Sequence, residues 1–217
     1  MNIEQARFNM IEQQIRPWDV LDAEVLQLLS VVKREDFVPA AYRGMAFVDM
    51  EVPLPCGESM LAPRVEARML QDLAVLNTDK VLDVGTGSGF MAALLAHQAA
   101  SVLSLEIDPA LASQAQAKLQ QAGVSNVTVR CADGSQGAAA DGPFDAIVLN
   151  GSVAEVPAAL LQQLTVGGRL VAIVGQEPMM RATLITRTGQ NSWTTTEPWD
   201  CNAPRLSGFA EPSSFHF

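Results

Sequence analysis

The sequence predicts a doubly wound α/β fold: a mostly parallel sheet of seven strands, ended by an antiparallel hairpin and preceded by a layer of helices. Three observations carry that prediction. From Lys80 onward, short β-branched runs alternate with helical stretches rich in Ala, Leu and Gln, a rhythm that implies parallel strands joined by right-handed crossovers. The runs are apolar almost throughout, which means a sheet covered on both faces. Before Lys80, apolar residues recur at helical spacing instead.

Ile3, Ala6, Phe8, Met10, Ile11 and Ile15 trace a first helix that Pro17 stops. A second runs from Asp22, placed as an N-terminal cap, through Val25, Leu26, Leu28 and Leu29 to Val32. Residues 37–63 carry Pro39, Pro53, Pro55 and Pro63 and should be irregular or short strand lying over the core. A third helix covers about Arg64 to Val75. Strands follow at residues 80–84, 101–106, 126–130, 145–149 and 169–174. Two more, 182–187 and 192–196, flank Thr188-Gly189-Gln190-Asn191 and read as a hairpin. The expected organisation is one domain of 217 residues: a helical layer with its proline-rich loop (1–76), an α/β core (77–197) and an aperiodic C-terminal tail (198–217).

Hydrophobic residues make up 48% and charged ones 18%, a balance that builds a packed core and excludes a disordered chain. Fourteen basic against twenty-four acidic residues give a net charge of -10, which on average repels a phosphate backbone or an anionic membrane. Neither nucleic acid nor a membrane is the expected partner. Cys56, Cys131 and Cys201 form no C-x-x-C pair, so no disulfide framework or thiolate zinc site is suggested, and a reducing cytoplasm is the expected compartment. The first residues lack the basic and apolar regions of a signal peptide. With only His97 and His216, neither a histidine metal site nor a nucleophilic triad is expected, and a monomer is the expected state.

The chemistry concentrates at the carboxyl ends of successive strands. The first ends in Asp83-Val84-Gly85-Thr86-Gly87-Ser88-Gly89 and a helix opens at Phe90, so the backbone can pass close to a ligand. The spacing is G-x-G-x-G, with Phe90 where the dinucleotide fingerprint wants its third glycine. A small nucleoside therefore fits better than a pyrophosphate, leaving NAD as runner-up. Glu106 ends the second strand, about twenty residues on, where a carboxylate accepts from both ribose hydroxyls. Asp133-Gly134 follows the third and suits an adenine amino group. Each acid alone reads as a cap or turn residue; the three together read as a nucleoside site, and an acidic rim suits a cationic sulfonium.

In this loop, its two further acids and its terminal hairpin, the sequence resembles the class I S-adenosylmethionine-dependent methyltransferases, which are Rossmann-like. Val32-Lys33-Arg34-Glu35-Asp36-Phe37-Val38-Pro39 and the stretch from Ala46 to Pro55 (Ala-Phe-Val-Asp-Met-Glu-Val-Pro-Leu-Pro) resemble the protein-L-isoaspartate O-methyltransferase family. So do Pro143-Phe144-Asp145-Ala146-Ile147, Glu155-Val156-Pro157 and Gly167-Gly168-Arg169-Leu170-Val171. The resemblance spans about residues 7 to 175. It implies S-adenosyl-L-methionine as cofactor and an isoaspartyl-containing protein or peptide as acceptor, methylated on its free α-carboxyl as the start of repair through a succinimide. Such a carboxylate is already ionised, so it needs alignment and partial desolvation but no general base. The lack of an obvious His or Lys base agrees with that.

The sequence departs from the family where the acceptor is held. The family's Thr-Ile-Ser-x-Pro is represented by Ser59-Met60-Leu61-Ala62-Pro63; anchored on Pro63, the serine falls on Leu61, which has no hydroxyl, and the next residue is Arg64. Four readings stand open. Ser59 substitutes after a loop shift, Arg64 recruits the carboxylate, the pocket is refitted to another carboxylate acceptor, or Ser59 and Arg64 are plain loop and solvated residues. Asn150 ends the fourth strand, where its amide can orient an acceptor carbonyl or carboxylate, although Asn150-Gly151 also reads as a turn pair. Ser59 and Asn150 are the candidate catalytic residues. The family's Phe-Val-Pro-Leu strand is represented only by Asn202-Ala203-Pro204-Arg205-Leu206. A same-fold enzyme with another acceptor, and a non-catalytic S-adenosylmethionine-binding module, are the alternatives.

Overall fold

The computed structural model describes residues 2–211; His216 lies outside them. The first helix, α1 (Ile3–Met10), is capped by Asn2, whose side chain accepts from the Gln5 amide. Residues Ile11–Ile15 continue it as a π turn and Arg16–Trp18 as a 3-10 turn, so the expected single helix changes its winding halfway. Pro17 supplies the reason: it lacks an N–H, and its ring excludes the carbonyl four residues earlier, so the ladder loosens before it. Asp22 caps α2 (Ala23–Val31) as expected, its Oδ1 accepting from Glu24 N at 2.8 Å and Val25 N at 3.1 Å. One further turn, α3 (Arg34–Phe37), was too short to show a period. The proline-rich stretch is irregular apart from β1 (Val52–Pro53) paired antiparallel with β2 (Ser59–Met60). Then α4 (Pro63–Leu73) begins with proline at its first position and ends at Ala74, in the left-handed region.

The sheet is built from β3 (Lys80–Val84), β4 (Ser101–Glu106), β5 (Val127–Cys131), β6 (Phe144–Val153), β7 (Leu164–Gln176), β8 (Met179–Gly189) and β9 (Ser192–Asp200). Its order is β5-β4-β3-β6-β7-β8-β9; the first five pair in parallel and β7, β8 and β9 form an antiparallel meander. The crossovers carry α5 (Phe90–Gln98), α6 (Pro109–Gln121) and α7 (Ala158–Gln162). Every residue of α5 from Phe90 to Ala96 is buried, because it is held between the sheet and the N-terminal layer. The chain leaves β3 toward β4 and returns on its other side as β6. The crevice outside the carboxyl ends of β3 and β6 is thus the switch point where open sheets bind ligands.

One expectation changes. Asn150 does not end its strand or make a turn: β6 runs on to Val153, and its register with β7 shifts between Val148 and Ser152, so Asn150-Gly151 sits in a bulge. A bulge re-aims side chains, which turns Asn150 inward. Within the aperiodic C-terminal stretch, part of the chain is bound to the sheet. Ser152 N donates to Pro204 O at 2.7 Å and Leu206 N to Ser152 O at 2.9 Å, which binds residues 204–206 along the end of β6.

Candidate active site

The glycine loop is held from below. Asp83 is fully buried, opposite Ser104 in the β3–β4 register; its Oδ2 accepts from the Ser104 hydroxyl at 2.6 Å and its Oδ1 from the Asn150 amide. Burial outweighs those donors and pushes its carboxyl up to about 7. Asp83 therefore anchors the loop from beneath, and it lines neither of the cavities described below. The strand alternates its side chains, and position 83 faces the sheet interior where the chain turns. Above it, Gly85 N and Thr86 N donate to Leu105 O, and Gly87 N donates to Glu106 Oε2 at 2.7 Å. Gly85 has φ +85°, and a Cβ there would lie 2.7 Å from Leu206 Cδ2. Thr86 and Ser88 are buried beneath the loop, whereas Gly89 packs against Ala115 of α6 and serves helix packing.

Glu106 is buried at the end of β4, with Oε1 accepting from Asp108 N at 3.1 Å. Each of its oxygens holds one backbone donor and keeps a lone pair for another. Gly134 passes so close to Val84 that a Cβ would come within 2.4 Å of its Cγ1. The exposed Asp133 spends Oδ1 on Ser135 N at 2.8 Å and stands on the rim against Gly208. Between these residues lies a cleft walled by Gly85, Gly87, Glu106 and Ser59 and covered by Leu206 and Phe209. Ser207 ties the cover to the opposite wall by donating to Glu58 Oε1 at 2.8 Å.

A smaller cavity shares Ser59, Gly85, Gly87 and Asn150 with the cleft and extends past Leu61 to Glu66. The Asn150 amide nitrogen donates to Asp83 and to Gly85 O at 3.2 Å, which leaves Oδ1 buried without a partner. Both amide donors are engaged within the protein, and Oδ1 is buried in the wall of the smaller cavity. Leu61 is 3% exposed, and its carbonyl accepts from Arg34 at 2.8 Å. Arg64 neither recruits a carboxylate from the cleft nor floats in solvent; it pairs with Asp49 at 2.7 Å and lies 4.0 Å over the Trp18 ring. Ser59 alone borders the cleft, the smaller cavity and an open surface groove of about 980 Å³ that runs by Glu51, Gln176, Met180, Asn202 and Arg205.

The arrangement fits a nucleoside joined to a charged tail: glycine backbone that a Cβ would block, a carboxylate with spare acceptor capacity, and an orphaned acceptor oxygen at Asn150. Sequence reasoning reached Leu206 only as part of an acceptor-side stretch and did not reach Phe209 or Glu66. The first two lie in an aperiodic stretch, and an acid in the first turn of a helix ordinarily signals only the dipole. Among the described residues, no group of three or more His, Cys, Asp or Glu is placed to hold a metal ion, and no helix is long and apolar enough to cross a membrane.

A family model described as protein-L-isoaspartate(D-aspartate) O-methyltransferase matches residues 5–201. The protein-L-isoaspartate O-methyltransferase of Koribacter versatilis is 38% identical over 202 residues, 93% of this chain and 90% of its own. Protein-L-isoaspartate O-methyltransferase 2 of Marinobacter nauticus is 42% identical over 185 residues, 85% of this chain and 84% of its own. Among solved structures, a protein-L-isoaspartate O-methyltransferase superposes with TM-score 0.81 at 20% identity, covering 93% of this chain and 66% of that one. A Plasmodium falciparum beta-aspartate methyltransferase in complex with S-adenosyl-L-homocysteine superposes with TM-score 0.78 at 19% identity, covering 95% of this chain and 99% of that one. At these identities the two structures share the fold.

Proposed function

The chain belongs to the protein-L-isoaspartate(D-aspartate) O-methyltransferase family, and from that premise we propose that it methylates the free α-carboxylate of isoaspartyl residues in damaged protein. Its cofactor is S-adenosyl-L-methionine, which when bound supplies an electrophilic methyl on a cationic sulfur. The observation that carries the proposal is the position of Ser59, where the cofactor cleft meets the open surface groove. A polypeptide lying in the groove meets the cleft at a hydroxyl.

Each residue then has a physical task. Glu106 uses its spare lone pairs for the ribose hydroxyls, and the loop it holds through Gly87 N is already ordered, so little is lost in ordering it on binding. Gly134 lets the adenine lie against backbone beside Val84, with Asp133 on the rim. Leu206 and Phe209 exclude water from the cleft, which strips part of the hydration from an entering carboxylate and raises its nucleophilicity. Ser59 donates to that carboxylate and aligns it, standing in for the hydroxyl that Leu61 lacks. The unpaired Asn150 Oδ1 presents negative potential at the junction of the two cavities, which suits a cationic sulfur and not an anion. No base takes part, because the acceptor is ionised at neutral pH.

Labelled methyl transfer to an isoaspartyl peptide, with its aspartyl twin as control, tests the proposal. Base-labile labelling of the isoaspartyl peptide alone is expected. A protein that binds S-adenosylhomocysteine yet labels neither peptide would overturn it.

A further inference from the structure

Glu66 has no task in the scheme above, yet it lines the smaller cavity and is 5% exposed. Its Oε2 accepts from Arg34 Nη1, and Arg34 is itself 1% exposed. The rest of the guanidinium is engaged elsewhere: Nη2 donates to Leu61 O at 2.8 Å and Nε to Ala46 O at 3.1 Å, with the group 5.0 Å over the Phe90 ring. Arg–carboxylate pairs are frequently bidentate, using both carboxylate oxygens. In this one Oε1 is left over. Among the described residues no donor reaches it, and it is not sealed away from the cavity. A carboxylate oxygen that is desolvated but unpaired is costly, unless a ligand cation completes it. Burial raises the Glu66 carboxyl to about 7 despite Arg34, which agrees with a site short of one positive partner.

The order of residues along the two cavities says which cation that is. Glu106 and Gly134 lie only in the cleft, Glu66 and Ser88 only in the smaller cavity, and Gly85, Gly87, Ser59 and Asn150 in both. A nucleoside at the first end puts the sulfur near the shared residues, where the groove enters, and the amino-acid tail at the second. We infer that Glu66 is a cofactor-binding residue, its Oε1 receiving the α-ammonium at the amino-acid end of S-adenosyl-L-methionine while Arg34 holds the carboxylate in place. This rests on the cofactor reading given above.

Calorimetric titration of three ligands into wild type and Glu66→Gln tests it: S-adenosylhomocysteine, its deamino counterpart, and 5′-methylthioadenosine, which lacks the amino-acid end. Wild type is expected to prefer S-adenosylhomocysteine to the deamino compound by roughly ten- to a hundredfold, the range for a hydrogen bond to a charged group. Glu66→Gln should abolish that preference and leave methylthioadenosine binding within about twofold. An equal loss for all three ligands makes Glu66 merely structural and overturns the inference, as does a variant that keeps the full preference. Should the variant not fold, wild type still decides against it if the deamino compound binds as tightly as S-adenosylhomocysteine. Failure of wild type to bind S-adenosylhomocysteine at all removes the cofactor reading and this inference together.

Discussion

Glu106→Gln separates the two tasks assigned to one carboxylate. In the wild type, Oε2 accepts from Gly87 N at 2.7 Å and Oε1 from Asp108 N at 3.1 Å, both from a buried side chain. Glutamine keeps the shape but offers one acceptor oxygen; its amino group must face the other backbone N–H. One charge-assisted hydrogen bond is lost and one backbone donor is left unpaired, which together destabilise the ligand-free protein by about 2 kcal/mol. The same amino group cannot accept from a ribose hydroxyl, so affinity falls by a further ten- to hundredfold, roughly, once the folded fraction is accounted for. Urea unfolding measures the first effect and calorimetric titration the second. The nucleoside assignment adds a sharper condition: 5′-methylthioadenosine must lose as much affinity as S-adenosylhomocysteine. A loss confined to S-adenosylhomocysteine, or a Kd within about twofold of wild type in a folded variant, refutes the placement of the ribose at Glu106.

Ser59→Ala is expected to lower kcat on an isoaspartyl peptide by about tenfold with S-adenosylhomocysteine affinity unchanged, since it removes one hydroxyl at the junction; unchanged kcat would exclude its role in alignment. Leu206→Ala uncovers the cleft beside Gly85, and stopped-flow release of S-adenosylhomocysteine should accelerate by about tenfold; an unaltered release rate would show that the C-terminal cover does not gate exchange. Stability should also depend on pH in a direction opposite to that of a paired surface acid. Burial raises both Asp83 and Glu66 to about 7, so each binds its proton more tightly folded than unfolded, and its contribution is present at low pH and lost as pH rises through about 7. For Glu66, rising from 4.5 to about 7, that is worth about 3 kcal/mol. Asp108 and Asp141, both half-buried and held below their ordinary value by hydrogen bonds, titrate beneath this window. The urea midpoint of the ligand-free protein is therefore expected to fall between pH 5 and pH 8, and a flat or rising midpoint contradicts the burial argument.

What the sequence determined by itself is whatever local periodicity and backbone chemistry encode. Lys80–Val84 and Ser101–Glu106 were legible to the residue, because buried parallel strands read as continuous apolar runs. The glycine loop was legible because few residues but glycine tolerate its positive φ and its close contacts, and Glu106 because a strand end at that distance faces the same crevice. Family membership followed from the segments between Val32 and Pro55 and those around Pro143 and Gly167. The tertiary structure alone decided what each polar group is free to do. That Asp83 is sealed, that Asn150 has spent its donors, that Arg64 belongs to Asp49 and Trp18, and that Glu66 keeps one oxygen idle all depend on partners well outside any local window of the chain. The closure of the cleft is the extreme case, joining Ser207 to Glu58 across 149 positions of chain. Strand periodicity is short-ranged and survives in any window of sequence, whereas hydrogen-bond satisfaction and desolvation are properties of the packed whole.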